Sequence, residues 1–409
     1  MCRISVRELL KVVFQFSVMI TLGLTALLAS ADGQQVDIDQ LTESFQKTLA
    51  GIVAETTAPG GVAAFVLPDG TRRTVAVGLA DKEAGTLMKP DSRMLSGSVG
   101  KSFVATTALS LAMDGTIDLD APISTWLGNK PWFARLPNGS NITLRHLLQH
   151  RAGLVDHVFM PEFAKAVASG DINLASDIPI ERFIEFALDQ EPLFPVGEGF
   201  SYTDTGYLVA GLVIEAATGN TYYGELRRRV LDPLGLMLTS PSDHPRLPGL
   251  VPGYMPVKNL LGLPTKTLTD NGVLKFFNPS MEWTGGGLVT NPGDLAYYAR
   301  ELYEGRVISG EYLEQLLEPK RTSPNRSESA YGLGQGMKPT EFGMVYGHGG
   351  WIPGYTSFMA YYPDYGIAIA AQFNVSPEIH EEGTPVDIAK ERLPSIVINA
   401  FKQTKIDNH

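Results

Sequence analysis

Ser98-Val99-Gly100-Lys101 opens an apolar run that continues to about Met113, with Phe103, Ala108, Leu109 and Ala112 available for burial and Gly115 as a stop. The run predicts a helix that carries a serine and a lysine on one face, a turn apart. A serine hydroxyl is a poor nucleophile until a base takes its proton, and a lysine desolvated by a buried helix can assist if its pKa falls. The serine N–H, at a helix start, is also placed to stabilise an oxyanion. Alone the pattern is weak, because serine is a common N-cap and a lysine three residues on is usually solvated. A strict Gly-x-Ser-x-Gly elbow is absent, since Ser96 occupies its first glycine position, and an α/β-hydrolase loses its main support.

Two further elements follow. Phe200-Ser201-Tyr202-Thr203-Asp204-Thr205-Gly206-Tyr207 leads into an apolar helix, and Gly347-His348-Gly349-Gly350 leads into a strand beginning at Tyr355. Singly, Tyr202 reads as a core aromatic and His348 as a histidine beside a glycine turn. Together the three elements resemble the Ser-x-x-Lys, Tyr-x-Asn and Lys/His-Thr-Gly (or His-x-Gly) motifs of the serine β-lactamase and penicillin-binding-protein superfamily. Asp114 to Asp120, Ile142 to Leu154, Asp232 to Leu236, Gly285 to Leu288 and Asp294-Leu295 are similar to segments of its class C branch. That branch holds class C β-lactamases, D-Ala-D-Ala carboxypeptidases, D-aminopeptidases and β-lactamase-like esterases. The resemblance spans roughly residues 40 to 400. It implies that Ser98 is the nucleophile, with Lys101 its hydrogen-bonded partner. Tyr202 would be the base, its phenolate stabilised by neighbouring cations, and later the acid; His348 would face it across the cleft. The N–H groups of Ser98 and Trp351 would form the oxyanion hole.

Two departures bear on the substrate. Asp204 stands where the family usually carries Asn, so a donor to a substrate amide carbonyl is replaced by a group that only accepts. A carboxylate there should also hold Lys101 charged, leaving Tyr202 as the base. Gly349, followed by Gly350, replaces the hydroxyl residue that helps bind a terminal carboxylate in carboxypeptidases and β-lactamases. His-Gly-Gly looks more like the family's esterases and D-aminopeptidases.

Working outward, Leu41, Phe45, Leu49 and Ile52 predict an amphipathic helix over about 39–54. Strands over 61–67 and 71–77 flank Pro68-Asp69-Gly70, and strands over 355–362 and 367–373 surround Pro363 to Gly366. A last helix is expected over about 386–401. The fold class is therefore α/β (α+β): an antiparallel sheet flanked by helices, from residues 32–115 and 280–409, with a mostly helical domain inserted over 116–279.

Within 409 residues, 33 Lys and Arg oppose 44 Asp and Glu, a formal charge of -11 that disfavours a nucleic-acid partner. The single cysteine, Cys2, excludes thiol chemistry, Cys-ligated zinc and disulfides from the remainder. Arg3, Arg7 and Lys11 precede an apolar stretch from Val12 to Leu28, and Ala29-Ser30-Ala31 offers small residues at a cleavage site. Residues 1–31 are thus expected to be a signal peptide, giving a periplasmic or secreted protein with no later membrane span; an uncleaved anchor helix is the alternative. His146, His150 and His157 with Asp156 are read as structural histidines within and beyond a helix ending at Gly153, not as a metal site. No metal or organic cofactor is expected. The resulting expectation is an exported serine hydrolase acting on a small ester or amide, ahead of D-alanyl peptides and then β-lactams. A non-catalytic penicillin-binding-like cell-wall protein is the reading from another class.

Overall fold

The computed structural model describes residues 36–257, 264–323, 329–377 and 383–406; the expected leader and Cys2 lie outside them. Helix α1 (Ile38–Glu55) starts at Asp37, whose carboxylate accepts from the amides of Asp39 and Gln40, and it buries the four apolar residues its spacing predicts. Strands β1 (Gly60–Val66) and β2 (Arg72–Asp81) form the expected hairpin. Short strands β3 (Thr86–Leu87) and β4 (Met94–Leu95) precede a 3₁₀ turn, Gly97–Val99, which runs into α2 (Gly100–Met113). The middle of the chain contributes α3 (Leu144–Leu148), α4 (Asp204–Thr218), β5 (Ser240–Pro241), α5 (Trp283–Gly286), β6 (Leu288–Thr290) and α6 (Pro292–Tyr303) among other short helices. Strands β7 (Lys320–Arg321), β8 (Ala330–Tyr331), β9 (Gly336–Thr340), β10 (Gly343–Ile352), β11 (Tyr355–Tyr362) and β12 (Ile367–Phe373) follow, then α7 (Pro385–Ile406).

The main sheet has the order β3-β2-β1-β12-β11-β10-β9-β8-β7, antiparallel throughout. Its inner strand β12 pairs with β1 from the start of the chain, Ala64 facing Ala370 and Val62 facing Gln372. The period-2 geometry of a strand sends alternate side chains to opposite faces. Ile367, Ile369, Ala371 and Phe373 therefore join the core beneath α1 and α7, while Ala368 and Ala370 join the core beneath α2, α4 and α6. With both faces covered, β1 and β12 are buried along their whole length, and β12 is apolar except for Gln372. Phe45 on α1 meets Phe65 on β1 edge-to-face at 5.0 Å, which fastens the helix to the sheet.

Two expectations need correction. Gly347 to Gly350 does lead into the strand at Tyr355, but it is itself part of a strand, β10, whose half-exposed, glycine-rich run hides the alternation that marks β11. The helix before Gly153 stops at Leu148, and His150 takes a left-handed backbone with φ of 57°, so His146 and His150 do not share a helix. Among the described residues no helix is long and apolar enough to cross a membrane.

Candidate active site

Ser98 sits in the 3₁₀ turn that feeds α2, partly exposed, with Lys101 in the first helical turn and fully buried. Three groups receive the three ammonium N–H bonds of Lys101: Ser98 Oγ at 3.1 Å, the Gly285 carbonyl, and Asp204 Oδ1. The carbonyl can reach in because glycines meet where α5 crosses the start of α2. A Cβ on Gly100 would lie 2.8 Å from Gly286 Cα, so larger residues would force the two elements apart. Asp204 raises the Lys101 pKa well above its ordinary value against the opposing effect of burial. Lys101 is thus a saturated donor with no lone pair for Ser98's proton, as the Asp204 departure implied.

Tyr202 precedes α4, where the Thr203 hydroxyl caps Gly206 N and Asp204 occupies the acid-favouring first turn. Its phenolic oxygen is buried without a well-formed hydrogen bond, while Lys101 Nζ stands 4.9 Å from its ring centroid. Burial raises the Tyr202 pKa; Lys101 and Ser98 act the other way without cancelling it. In the resting site burial therefore favours the neutral phenol over the phenolate that the resemblance implies. His348 adds no charge. Its Nδ1–H donates to Gly349 O at 2.6 Å and its Nε2 accepts from the Tyr331 hydroxyl at 2.8 Å, and burial brings its pKa down to about 4.

His348, Gly349, Gly350 and Trp351 lie on β10, where β9 pairs only with residues 343–347, leaving the next stretch to face the Ser98 turn. The approach is close. Gly97 has φ of 53°, and a Cβ there would lie 2.9 Å from Trp351 N; one on Gly350 would strike Ser96 O. Ser98, Tyr202, His348, Gly349, Gly350 and Trp351 thus line one cleft of about 390 Å³. A larger hollow of about 790 Å³ adjoins it, sharing Tyr202, His348, Gly349, Asp387 and Lys390. All eight site residues singled out in the sequence gather here, Asp204 through Lys101.

Two carboxyl groups join the site that the sequence did not assign to it. Asp156 accepts from the amides of Asp204 and Val158, both at 3.2 Å. A Cβ on Gly285 would lie 3.6 Å from Asp204 Oδ1 and 3.7 Å from Glu282 Oε2, so the two carboxyl groups flank that glycine. Burial, then the nearby Asp204, pushes both Asp156 and Glu282 up to about 7. The sign follows. A carboxyl whose folded pKa exceeds its ordinary value, near 4.5 for Glu, lends stability that is complete below that value and lost as pH rises to about 7. Glu282→Gln should therefore raise Tm more at pH 8 than at pH 5, by several degrees, taking about 2–4 °C per kcal/mol. Thermal melts at both pH values check this, and an equal change at both would refute it.

Among the described residues no cluster of His, Cys, Asp and Glu could hold a metal ion, and His146, His150 and His157 do not converge on one. A model of the Beta-lactamase family matches residues 45–389. The chain belongs to the beta-lactamase family. It is similar to esterase EstB of Burkholderia gladioli, 36% identical over 172 residues covering 39% of this chain and 41% of that one. It is also similar to the teichoic acid D-alanine hydrolase of Staphylococcus aureus, 25% identical over 319 residues, covering 78% and 71%. Among solved structures, the D-amino acid amidase of Ochrobactrum anthropi SV3 superposes with a TM-score of 0.73 at 28% identity, covering 89% of this chain and 99% of that one. Against EstB and two penicillin-binding proteins, this chain spans only 41–62% of the relative's length. EstB, the teichoic acid D-alanine hydrolase and the D-amino acid amidase are hydrolases by name, and this chain shares the amidase's fold.

Proposed function

We propose that this chain is an exported serine hydrolase that cleaves a small ester or amide through an acyl-enzyme on Ser98. The observation that carries the reading is the Lys101 ammonium, buried and donating at once to Ser98 Oγ, Asp204 and Gly285 O. It polarises the hydroxyl and leaves proton transfer to Tyr202. Because that phenol is neutral, it works as a relay. Ser98 Oγ attacks the carbonyl carbon, Ser98's proton passes to Tyr202 Oη, and Tyr202 passes its own to the departing oxygen or nitrogen. The carbonyl oxygen takes its charge between the N–H groups of Ser98 and Trp351. Water then attacks the acyl carbon, its proton passes to Tyr202 Oη while Tyr202 passes its own to Ser98 Oγ, the bond from the acyl carbon to Ser98 breaks, and the carboxylic acid leaves.

Asp204 and Gly349 place a short ester first, since neither donates to an amide carbonyl or offers a hydroxyl to a carboxylate. EstB is an esterase by name, in keeping with this order. One observation favours a second reading, a D-alanyl peptide. A Cβ on Gly349 would lie 3.7 Å from Lys390 Nζ, so a half-exposed cation, 3.6 Å from Asp387, stands beside the cleft where a substrate carboxylate could rest.

Intact mass after a fluorophosphonate tests the proposal: wild type should gain one adduct and Ser98→Ala none. No adduct on either would leave the non-catalytic binding protein, and a durable penicillin adduct would favour the carboxypeptidase. For substrate class, Asp204→Asn should raise amide relative to ester turnover by about 5- to 10-fold, the worth of one hydrogen bond. Parallel kcat/KM values on a p-nitrophenyl ester and a D-amino acid anilide measure it; an unchanged ratio counts against the role given to Asp204.

A further inference from the structure

His150 joins three separate features of the site. It sits just past α3 with φ of 57°, a left-handed conformation that histidine, asparagine and aspartate tolerate better than most residues and that costs roughly 1–2 kcal/mol for ordinary ones. The unusual turn has a use. The His150 carbonyl accepts from Ser201 N at 3.0 Å and its Nδ1 accepts from Thr203 N at 3.1 Å, so one residue holds the amides on both sides of Tyr202. Its ring lies against the Tyr202 ring, centroids 4.1 Å apart and planes 33° apart, and Tyr331 at 4.9 Å, Tyr207 at 5.0 Å and Phe200 at 5.8 Å also pack on it. The ring is 1% exposed, and Nδ1 as acceptor puts the proton on Nε2, which has no partner. Burial, reinforced by Lys101, keeps it uncharged. A neutral imidazole whose one acceptor is spent on a backbone amide transfers no proton to substrate.

We infer that His150 is a positioning residue for Tyr202, fixing its main chain from two sides and its ring from one face so that the phenolic oxygen stays beside Ser98 and Lys101. The inference rests on the relay reading of Tyr202 given above. It separates His150 from an ordinary core histidine, because its loss should act on turnover and not chiefly on stability.

The test compares kcat, KM and Tm for wild type, His150→Phe, His150→Asn and Tyr202→Phe on a p-nitrophenyl ester, with rates divided by fluorophosphonate-titrated sites so that unfolded material does not count. His150→Phe keeps an aromatic ring but loses the acceptor. His150→Asn keeps an acceptor and tolerates the left-handed backbone. His150→Phe should lower kcat by about 10- to 100-fold with KM within twofold, the scale of a misplacement near 1 Å. His150→Asn should recover most of that loss. Wild-type kcat in folded His150→Phe, or equal losses in both variants, would overturn the proposal. Should His150→Phe not accumulate, His150→Ala takes its place with the same expected and overturning results. If Tyr202→Phe itself keeps wild-type kcat, the relay reading fails first, and that failure is distinct from a silent His150 beside an essential Tyr202.

Discussion

Tyr202→Phe is expected to lower kcat/KM toward a short-chain ester by about 10²- to 10⁴-fold, the range of a lost general acid–base, while leaving the melting temperature near wild type. The reason is local. All three protons of Lys101 are committed, to Ser98, Asp204 and Gly285, and His348 uses both ring nitrogens on Tyr331 and Gly349. Of Lys101, His348 and Tyr202, the groups that the resemblance brings to Ser98, the Tyr202 hydroxyl is the one left to move Ser98's proton. Phe keeps the ring against His150, and no good hydrogen bond is lost with the hydroxyl, so packing should survive. Steady-state kinetics with a parallel melt decide it. A loss below threefold would assign the proton transfer elsewhere.

Lys101→Met should have the second large effect, on activity and on the fold together. Removing the ammonium leaves Asp204 facing the Gly285 carbonyl, with Asp156 and Glu282 nearby and no cation among them. Breaking a buried pair from one side typically costs about 3–5 kcal/mol, because the surviving charge stays without compensation. The side chain of Asp204 is 25% exposed, which argues for the lower end. The pair Lys101→Met with Asp204→Asn should recover part of that loss in denaturant unfolding without recovering activity. If the double variant is no more stable than Lys101→Met alone, the charge imbalance is not what destabilises it.

Local patterns carried much of the architecture. Helix α1, the β1–β2 hairpin and strands β11 and β12 follow from spacing and turn residues, because each is settled by neighbours in sequence. The Lys101–Asp204 ion pair was also legible, since charge and position suffice to anticipate it. The charge state of Tyr202 was not. It depends on how completely the fold dries the phenol, which no motif states. His150, Asp156, Glu282 and Tyr331 escaped for a related reason. They come from separate stretches, and their bearing on the site appears only when the backbone around Leu148, Thr203 and Gly285 is in place.

The pairing of β12 with β1 has a consequence for how the protein comes into being. A ribosome delivers β1 and Ser98 early and the strand that must sit beside β1 near the end, tens of seconds later at about 5–20 residues per second. Until then the hairpin has an open, apolar margin, a liability for sticking to other nascent chains. The wall opposite Ser98, built on β10 and β11, has no anchorage either. On the proposed chemistry an unfinished copy should not hydrolyse, and a chain cut short before Ile367 should be inert however well its first hundred residues fold.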